Sequence, residues 1–507
     1  MPGYRDYSMR AEVVVIGSGI SGLTVAALLA KRNRQVVVLE RNQKPGGALR
    51  HFVRRGIPFD IGFHYSGCLG SGKILRVLWE YLGIWIHLRV HPFPSEGNDC
   101  LTLRHSGKSV RAFFSYERLE DELQQAFPNE AEGVVTYLKT LRDICDSIPF
   151  YNLDLPLTPF LRGLFPPAGI GLAPFLTSLT KDPDLQAVLV SPAFLYGVSP
   201  RQASLAVHAM VAHAFISGAY AIDGGGQAIV DAFLSIFRKA GVEVLTGQEV
   251  ESIIVTDGKV AGVKTSEMEI SCSQAIYTGH PADLLDLVPE GTFRQAHCSR
   301  LQDLENTTSM FVVFGAVDNP ASLRDLTWVN HYAIPSGLDI LDVNLICPEE
   351  SALLMTAPGR RYSDPALSNA SRGIILMRPA SWDEVAPFSI GAGGTRPASY
   401  KKWKSQSADK LLDQAKKLWG YSRIEPLAIG SPLTFRDKLG VPGGAVYGVR
   451  HCLNQYNPGA KTRLPGLWLS GQGTLMTGIV GASLSGLVTA GEIEGLEPLW
   501  DEVRQCR

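Results

Sequence analysis

With 507 residues the chain is longer than one hydrophobic core normally carries, so two domains, with or without a third small segment, are expected. Its 48 basic and 49 acidic residues leave a formal charge of −1, which removes the basic footprint that a nucleic-acid binder needs. Charged residues make up only 19% against 45% hydrophobic, a balance suited to apolar cargo or to contact with a membrane surface. The start, MPGYRDYSMR, runs into an apolar strand without a charged and then apolar leader, so a cytoplasmic location without a secretory signal is expected. No stretch reaches the ~18 uninterrupted apolar residues of a membrane span. The eight cysteines are scattered, with no C-x-x-C pair, so reduced thiols and no metal site are expected.

Residues 12 to 40, EVVVIGSGISGLTVAALLAKRNRQVVVLE, hold a buried strand, a glycine-rich turn, a helix, a second strand and a terminal carboxylate. Gly17 lets the chain turn out of the strand, Gly19 lets the backbone approach a pyrophosphate, and Gly22 lets the helix pack on the sheet. Ser18, Ile20 and Ser21 complete the turn. The N–H groups opening the helix favour pyrophosphate charge, and Glu40, followed by Arg41, can accept from adenosine ribose hydroxyls. This order predicts a dinucleotide cofactor, FAD or NAD.

The next stretch, RNQKPGGALRHFVRRGIPFDIGFHYSG, is a glycine-punctuated return across the sheet that brings Gly46, Gly47 and Ala48 beside the cradle. From about Leu101 a hairpin leads to helical patterns around Glu117 to Phe127 and Glu130 to Ser147, the second with Val134, Leu138, Leu141 and Cys145 on one stripe. Residues 155 to 179, LPLTPFLRGLFPPAGIGLAPFLTSL, are too broken for a long helix and too apolar for a solvated loop. Two readings stand for them: ordinary packing in a helical subdomain, and a peripheral membrane-facing segment beside a tunnel mouth.

At 220 to 264 the texture returns to alternating β and α, with a helix from about Gln227 to Ala240 and Asp223 placed to cap it. From about Thr292 to Asn457 strands such as Ser309 to Ala316 and a helix such as Asp409 to Trp419 read as a second domain completed late. The block LPGLWLSGQGTLMTGIVGASLSGLVTAGEI at 464 to 493 offers a strand, a glycine bend carrying Gly471, and a helix opening at Gly478, Ile479 and Val480. Backbone donors near Gly478 to Gly481 are placed to stabilise negative charge on the N1/O2 side of a reduced flavin.

Four of these segments resemble the flavin amine oxidase and phytoene desaturase superfamily, and within it the carotenoid isomerases and retinol saturases. They are VVVIGSGISGLTVAALLAKRNRQVVVLERNQKPGGALR, FDIGFHYSG, YAIDGGGQAIVDAFLSIFRKAGVEVLTGQEVESIIVTDGKVAGV and LWLSGQGTLMTGIVGASLSG. The D-x-G-x-H form at Asp60, Gly62 and His64 points to this branch. The resemblance implies FAD in the cradle, Gly46 and Gly47 near the flavin, and Val250 near the adenine. Gly169 to Ala173 and Gly391 to Thr395 lack the strand and helix of a second fingerprint, so no separate NAD(P)H site is expected. Ala48, where the amine oxidases carry arginine, and the lack of a cysteine in the terminal block weaken an amine oxidase reading.

The expected fold is α/β, a Rossmann-type FAD-binding domain with a discontinuous α+β substrate domain. The first is assigned 1–95, 220–290 and 456–507, the second 96–219 and 291–455. The expected function is hydride transfer between flavin N5 and a carbon–carbon bond of an apolar isoprenoid or polyene-like substrate, as desaturase or saturase. Alternatives are a redox-neutral cis/trans isomerase using reduced FAD, a flavin amine oxidase, and a lipid-binding escort protein of the same fold. His64 is the candidate proton donor or flavin-proximal polar contact, since imidazole exchanges a proton near neutral pH, with a structural role the other reading. Tyr65, Tyr220 and Trp328 are candidates for an aromatic tunnel lining, with ordinary core packing the other reading.

Overall fold

The apolar run Val13–Ile16 becomes the middle strand of a five-stranded parallel sheet, ordered Glu243–Thr246, Val36–Glu40, Val13–Ile16, Gln274–Tyr277 and Leu467–Leu469. Val13–Ile16 and Val36–Glu40 are buried at every position, which is why they read as continuous apolar runs with no alternation. The chain builds outward from Val13–Ile16 to one edge and then returns to the other side. That reversal opens a crevice at the carboxyl ends of Val13–Ile16 and Gln274–Tyr277. The structure is a computed structural model that describes residues 8–163, 169–335, 340–341, 351–389, 395–421 and 423–507. Cys347, residues 391–394 and residues 164–168 of the apolar segment therefore lie outside the described residues.

Two helices begin at this crevice, Ile20–Lys31 from the first strand and Gly478–Glu494 from the last. They cross closely: a Cβ on Gly486 would lie 2.8 Å from the Ser21 carbonyl oxygen and 2.9 Å from Thr24 Cβ. Ser21 and Ser470 share a hydrogen bond of 2.6 Å between their hydroxyls, tying the first helix to the last strand.

A seven-stranded sheet faces the crevice, ordered Glu425–Gly430, Ser309–Ala316, Gly373–Ala380, Leu353–Thr356, Val329–Ile334, Asn98–Leu103 and Ser109–Phe113. Its neighbours are antiparallel except for Val329–Ile334 beside Asn98–Leu103, the one parallel pair, which joins the hairpin near residue 100 to strands more than two hundred residues later. A four-stranded sheet of Ser8–Arg10, Glu269–Ser271, Lys259–Thr265 and Val250–Thr256 stands beside the five-stranded one. Helices Tyr116–Ala126, Ala131–Asp146 and Leu205–Ile216 form a layer over the cavity, with Val134, Leu138, Leu141 and Cys145 buried as their spacing requires. The helix expected at Asp409 begins earlier, as Ala398–Trp419. Its first turns are largely polar, and apart from Tyr400 the buried stripe starts only at Ala408, Leu411 and Ala415, so periodicity could not show the earlier start.

Helix Gly225–Ala240 corrects one expectation. Its N-cap is Gly224, not Asp223, and the Gly226 N–H donates to Asp60 Oδ1 at 2.9 Å. Gly225 lies so close to that carboxylate that any Cβ would collide with it. Asp223 accepts instead from the Ser363 backbone N–H at 2.9 Å and hydroxyl at 2.6 Å, and pairs with His91.

In the described part of 155–179, Leu157, Leu172 and Leu176 are buried while Ile170 is 48% exposed. Helix Leu157–Leu161 packs on the helix Leu496–Arg504, whose Trp500 indole donates to the Leu155 carbonyl. Among the described residues no helix is long and apolar enough to cross a membrane.

Because the helix crossing at Gly486 leaves no room for a side chain, Gly486→Val is expected to lower stability by about 1–3 kcal/mol in urea unfolding. A variant as stable as the parent would contradict the close crossing.

Candidate functional site

The crevice continues into one cavity of about 710 Å³, within the ~300–1,000 Å³ usual for small-molecule sites. Its near half is lined by Gly17, Ser18, Gly19, Ile20 and Ser21 from the first turn, and by Glu40 and Arg41 at the end of the second strand. Gly46, Gly47, Ala48, Val250, Gly471, Gly478, Ile479 and Val480 line it as well. Gly22 stands back from the cavity, with its Cα against the Gly17 carbonyl and Val15, where its part is helix-on-strand packing.

Geometry of this half suits a nucleotide. A Cβ built on Gly19 or Gly478 meets no protein atom within 4 Å, so at both helix starts the backbone faces open cavity. Glu40 is buried and its carboxylate is held on both oxygens. Ser18 donates to Oε2 from its N–H at 3.2 Å and its hydroxyl at 2.5 Å, and Asn42 donates to Oε1 at 2.8 and 2.7 Å. Burial pushes this carboxyl up, but the hydrogen bonds from Ser18 and Asn42 outweigh it and leave the group below its ordinary value. It is therefore an acceptor-only anion at neutral pH.

The far half is apolar. The seven-stranded sheet contributes Met310, Val312, Leu354 and Met377, and the helix Leu205–Ile216 contributes Met210 and Phe215. Of the three candidate aromatics, Tyr65 lines the cavity; Tyr220 and Trp328 do not, and Trp328 packs edge-on against Phe93.

The D-x-G-x-H segment divides its labour. Asp60 turns away from the cavity to hold the helix Gly225–Ala240 and to accept from the Tyr362 hydroxyl at 2.7 Å, while Gly62 and His64 line the cavity. His64 Nε2 is shielded from solvent and has no hydrogen-bond partner. Burial, reinforced by the Arg361 guanidinium, lowers His64 to about 4. At neutral pH the imidazole is uncharged, which removes the simple reading of His64 as an imidazolium acid.

Sequence reasoning missed a buried polar cluster behind His64. The Tyr65 hydroxyl donates to Asp99 Oδ2 at 2.9 Å and lies 3.2 Å from the Tyr332 hydroxyl. Asn330 gives its amide N–H to Asp99 Oδ1 at 2.7 Å and accepts from Arg361 at 2.5 Å and Thr356 at 2.7 Å. Arg361, 3% exposed, also donates to the Thr327 and His64 carbonyls. One signal was readable: Asp99 shares a strand face with Leu101 and Leu103, an inward position where a carboxylate is costly. Its partners lie hundreds of residues away and carried no signal. Among the described residues no cluster of His, Cys, Asp and Glu suits a metal ion.

Residues 15–82 match the family of NAD(P)-binding Rossmann-like domains. Across 96% of its length the chain is 27% identical to the all-trans-retinol 13,14-reductase of Macaca fascicularis, covering 85% of that protein. Over 53% of its length it is 26% identical to the hydroxyneurosporene desaturase of Rubrivivax gelatinosus, covering 53% of it. Over 50% it is 27% identical to prolycopene isomerase 1, chloroplastic, of an Oncidium hybrid cultivar, covering 46% of it. In fold it is similar to an oxidoreductase from Methanosarcina mazei, with TM-score 0.64 and 17% identity over 95% of this chain and 99% of that one. A putrescine oxidase triple mutant aligns with the same TM-score at 14% identity, over 96% of this chain and 99% of that one.

Two titrations test the site electrostatics. The NMR signal of His64 is expected to titrate near about 4, and a midpoint at its ordinary value of 6.5 would contradict the neutral imidazole. Asp60 is raised from 3.8 to about 7, chiefly by burial against the opposing hydrogen bonds from Tyr362 and Gly226. The folded state therefore binds this proton more tightly than the unfolded chain, and the group's contribution to stability falls as pH rises from about 4 to about 7. Asp60→Asn, which keeps an oxygen for Gly226, is expected to flatten that slope in denaturant midpoints; an unchanged slope would place the titration elsewhere.

Proposed function

We propose that this chain is a member of the family of carotenoid desaturases, carotenoid isomerases and retinol saturases, and that it binds FAD and saturates or desaturates a carbon–carbon bond of an apolar polyene. One observation carries the reading: a single cavity joins the glycine-lined nucleotide half to the apolar half, with no wall between them. Segments 1–95, 220–290 and 456–507 would hold the cofactor, and 96–219 and 291–455 the substrate.

The residues fit the cofactor in three places. The open helix start at Gly19 favours the pyrophosphate through its N–H groups and dipole. Glu40 faces the adenosine ribose; its four hydrogen bonds fill the usual lone-pair sites, so a ribose hydroxyl enters by displacing the Ser18 hydroxyl, the freely rotating donor of the four. The second helix start, at Gly478, Ile479 and Val480, lines the same cavity as Gly46, Gly47 and Ala48, and together they would hold the flavin end. A bound flavin supplies or accepts a hydride at N5.

The chain's own contribution is positioning and exclusion of water. The walls formed by Met310, Val312, Leu354, Met377 and Phe215 hold a conjugated hydrocarbon by its area alone, as hydride transfer over roughly 3–3.5 Å requires. Neutral His64 lines this cavity without bringing a charge into it. A redox-neutral cis/trans isomerisation would use the same site, a reading favoured by the relative named prolycopene isomerase.

Product mass distinguishes the two: saturation or desaturation shifts a polyene by two hydrogens, and isomerisation leaves its mass unchanged. Protein that alters neither the mass nor the geometry of any polyene would contradict both. Cofactor placement has its own test: Glu40→Ala is expected to weaken FAD binding about 10- to 100-fold in calorimetry of the apoprotein, from the ~1.5–3 kcal/mol of hydrogen bonds to a charged group. Unchanged affinity would move the ribose away from Glu40.

A further inference from the structure

Reducing a carbon–carbon double bond takes a proton as well as a hydride, and the cavity wall limits where that proton can originate. Four carboxylates line the cavity, Glu40, Glu249, Asp283 and Asp286, and each lies at or beyond the carboxyl end of a strand of the five-stranded sheet. Other titratable side chains on the wall include His64, Tyr65, Tyr151, Tyr332 and Tyr447, with Tyr277, His280 and Lys438. His64 holds no proton to give as an imidazolium at neutral pH. The Tyr151 hydroxyl is committed to the Met210 carbonyl at 2.7 Å. Among these cavity-lining groups, Tyr65 has its hydroxyl hydrogen-bonded to a carboxyl group, that of Asp99.

The cluster sits at a partition. Tyr65 and Tyr332 line the main cavity, whereas Asp99 lines a second, smaller one of about 70 Å³ on the far side, with Tyr332, Leu195 and Phe215 common to both. That side cavity exceeds the ~10–15 Å³ needed for a water molecule, and Asp99 is the titratable carboxyl on its wall. Behind the carboxyl, Asn330 bridges Asp99 to Arg361, a buried cation with no carboxylate at salt-bridge distance among the described residues. The Arg361 guanidinium lies 5.8 Å from the Tyr65 ring centre and 4.7 Å from that of Phe93. Packing alone does not account for a cation, a carboxyl and two phenols buried together beside an apolar cavity, since each costs desolvation.

We propose that Tyr65 is the catalytic acid of the redox reaction, giving its phenolic proton to the substrate carbon next to the one that takes the hydride, and that Asp99 is the positioning residue that restores it. This rests on the redox reading of the preceding subsection. The two electrons reach the substrate with the hydride from the reduced cofactor. As the new C–H bond forms on the neighbouring carbon, the Tyr65 O–H bond breaks; Asp99 in its protonated form gives its proton from Oδ2 to the phenolate, and the resulting carboxylate is reprotonated from bulk solvent by way of the side cavity. In desaturation every transfer runs in reverse.

Around Asp99 the titratable groups are Tyr65, Tyr332 and Arg361, with Cys100 next along its strand. Burial lifts the Asp99 carboxyl to about 6 against the opposing hydrogen bonds from Asn330 and Tyr65 and the Arg361 charge, so both of its forms are populated near neutral pH. Arg361 offsets the negative charge that passes between the phenol and the carboxyl.

Tyr65→Phe and Asp99→Asn in the full, flavin-loaded chain test the pair. Without turnover, the pH-difference infrared spectrum of the parent protein is expected to show a carboxyl band titrating near about 6 that Asp99→Asn lacks. Polyene binding, read by tryptophan quenching, is expected to survive Tyr65→Phe, while turnover falls ~100-fold or more, the usual scale of general acid catalysis. Asp99→Asn is expected to lose the limb of the pH–rate profile near about 6. Full turnover in Tyr65→Phe, an unaltered pH profile in Asp99→Asn, or loss of polyene binding in Tyr65→Phe overturns the acid role and leaves the redox reading intact. Parent protein that holds flavin but changes no polyene by two hydrogens overturns the redox reading and the acid role with it.

Discussion

The reversal of strand order between Val13–Ile16 and Gln274–Tyr277 is the constraint on which the rest of the molecule depends. It leaves a crevice where a parallel sheet cannot close over itself, and the helices that follow Val13–Ile16 and Leu467–Leu469 both start at its rim. The two helices can share that rim only if they cross closely, which Gly486 permits by bringing its backbone against Ser21 and Thr24. Both helix starts then face one cavity. The opposing sheet encloses the apolar half of that cavity, and its strands come from the two sides of the nucleotide segment, joined by the parallel pairing of Asn98–Leu103 with Val329–Ile334.

Polarity in this cavity is sorted by position. The anion Glu40 is kept ionised by donated hydrogen bonds at the nucleotide end. In the apolar half His64 is uncharged, and the cation Arg361, which does not line the cavity, donates to carbonyl and amide oxygens. A hydrocarbon there would meet thioether, aliphatic and aromatic surface with few exposed charges, as desolvated hydride chemistry needs. Asp60, which shares a short motif with His64, does unrelated work: it holds the first turn of Gly225–Ala240 and so fixes the loop that carries His64.

The parts legible in the sequence were those whose signal is local. The three glycines after Val13–Ile16 and the small residues after Leu467–Leu469 have steric consequences at fixed spacing, so the turn, both helices and the cavity-facing positions followed from them. The parts that were not legible depend on distant partners. Asp223 looked like a helix cap because it precedes three glycines, yet Asp60, 166 residues upstream of Gly226, supplies that bond. Asp99 meets Asn330 across 231 positions, and Arg361 meets His64 across 297. The polar opening turns of Ala398–Trp419 concealed where that helix begins, since propensity without burial leaves no periodic mark.

The claim that one cavity holds a flavin and a polyene in contact is tested most directly by anaerobic reoxidation. The purified holoprotein is reduced chemically, mixed with a conjugated polyene, and followed by its visible spectrum while the product is quantified. The account predicts that the oxidised flavin bands return with one saturated bond formed per flavin. A flavin that stays reduced in the presence of bound polyene, with no bond changed, would contradict it.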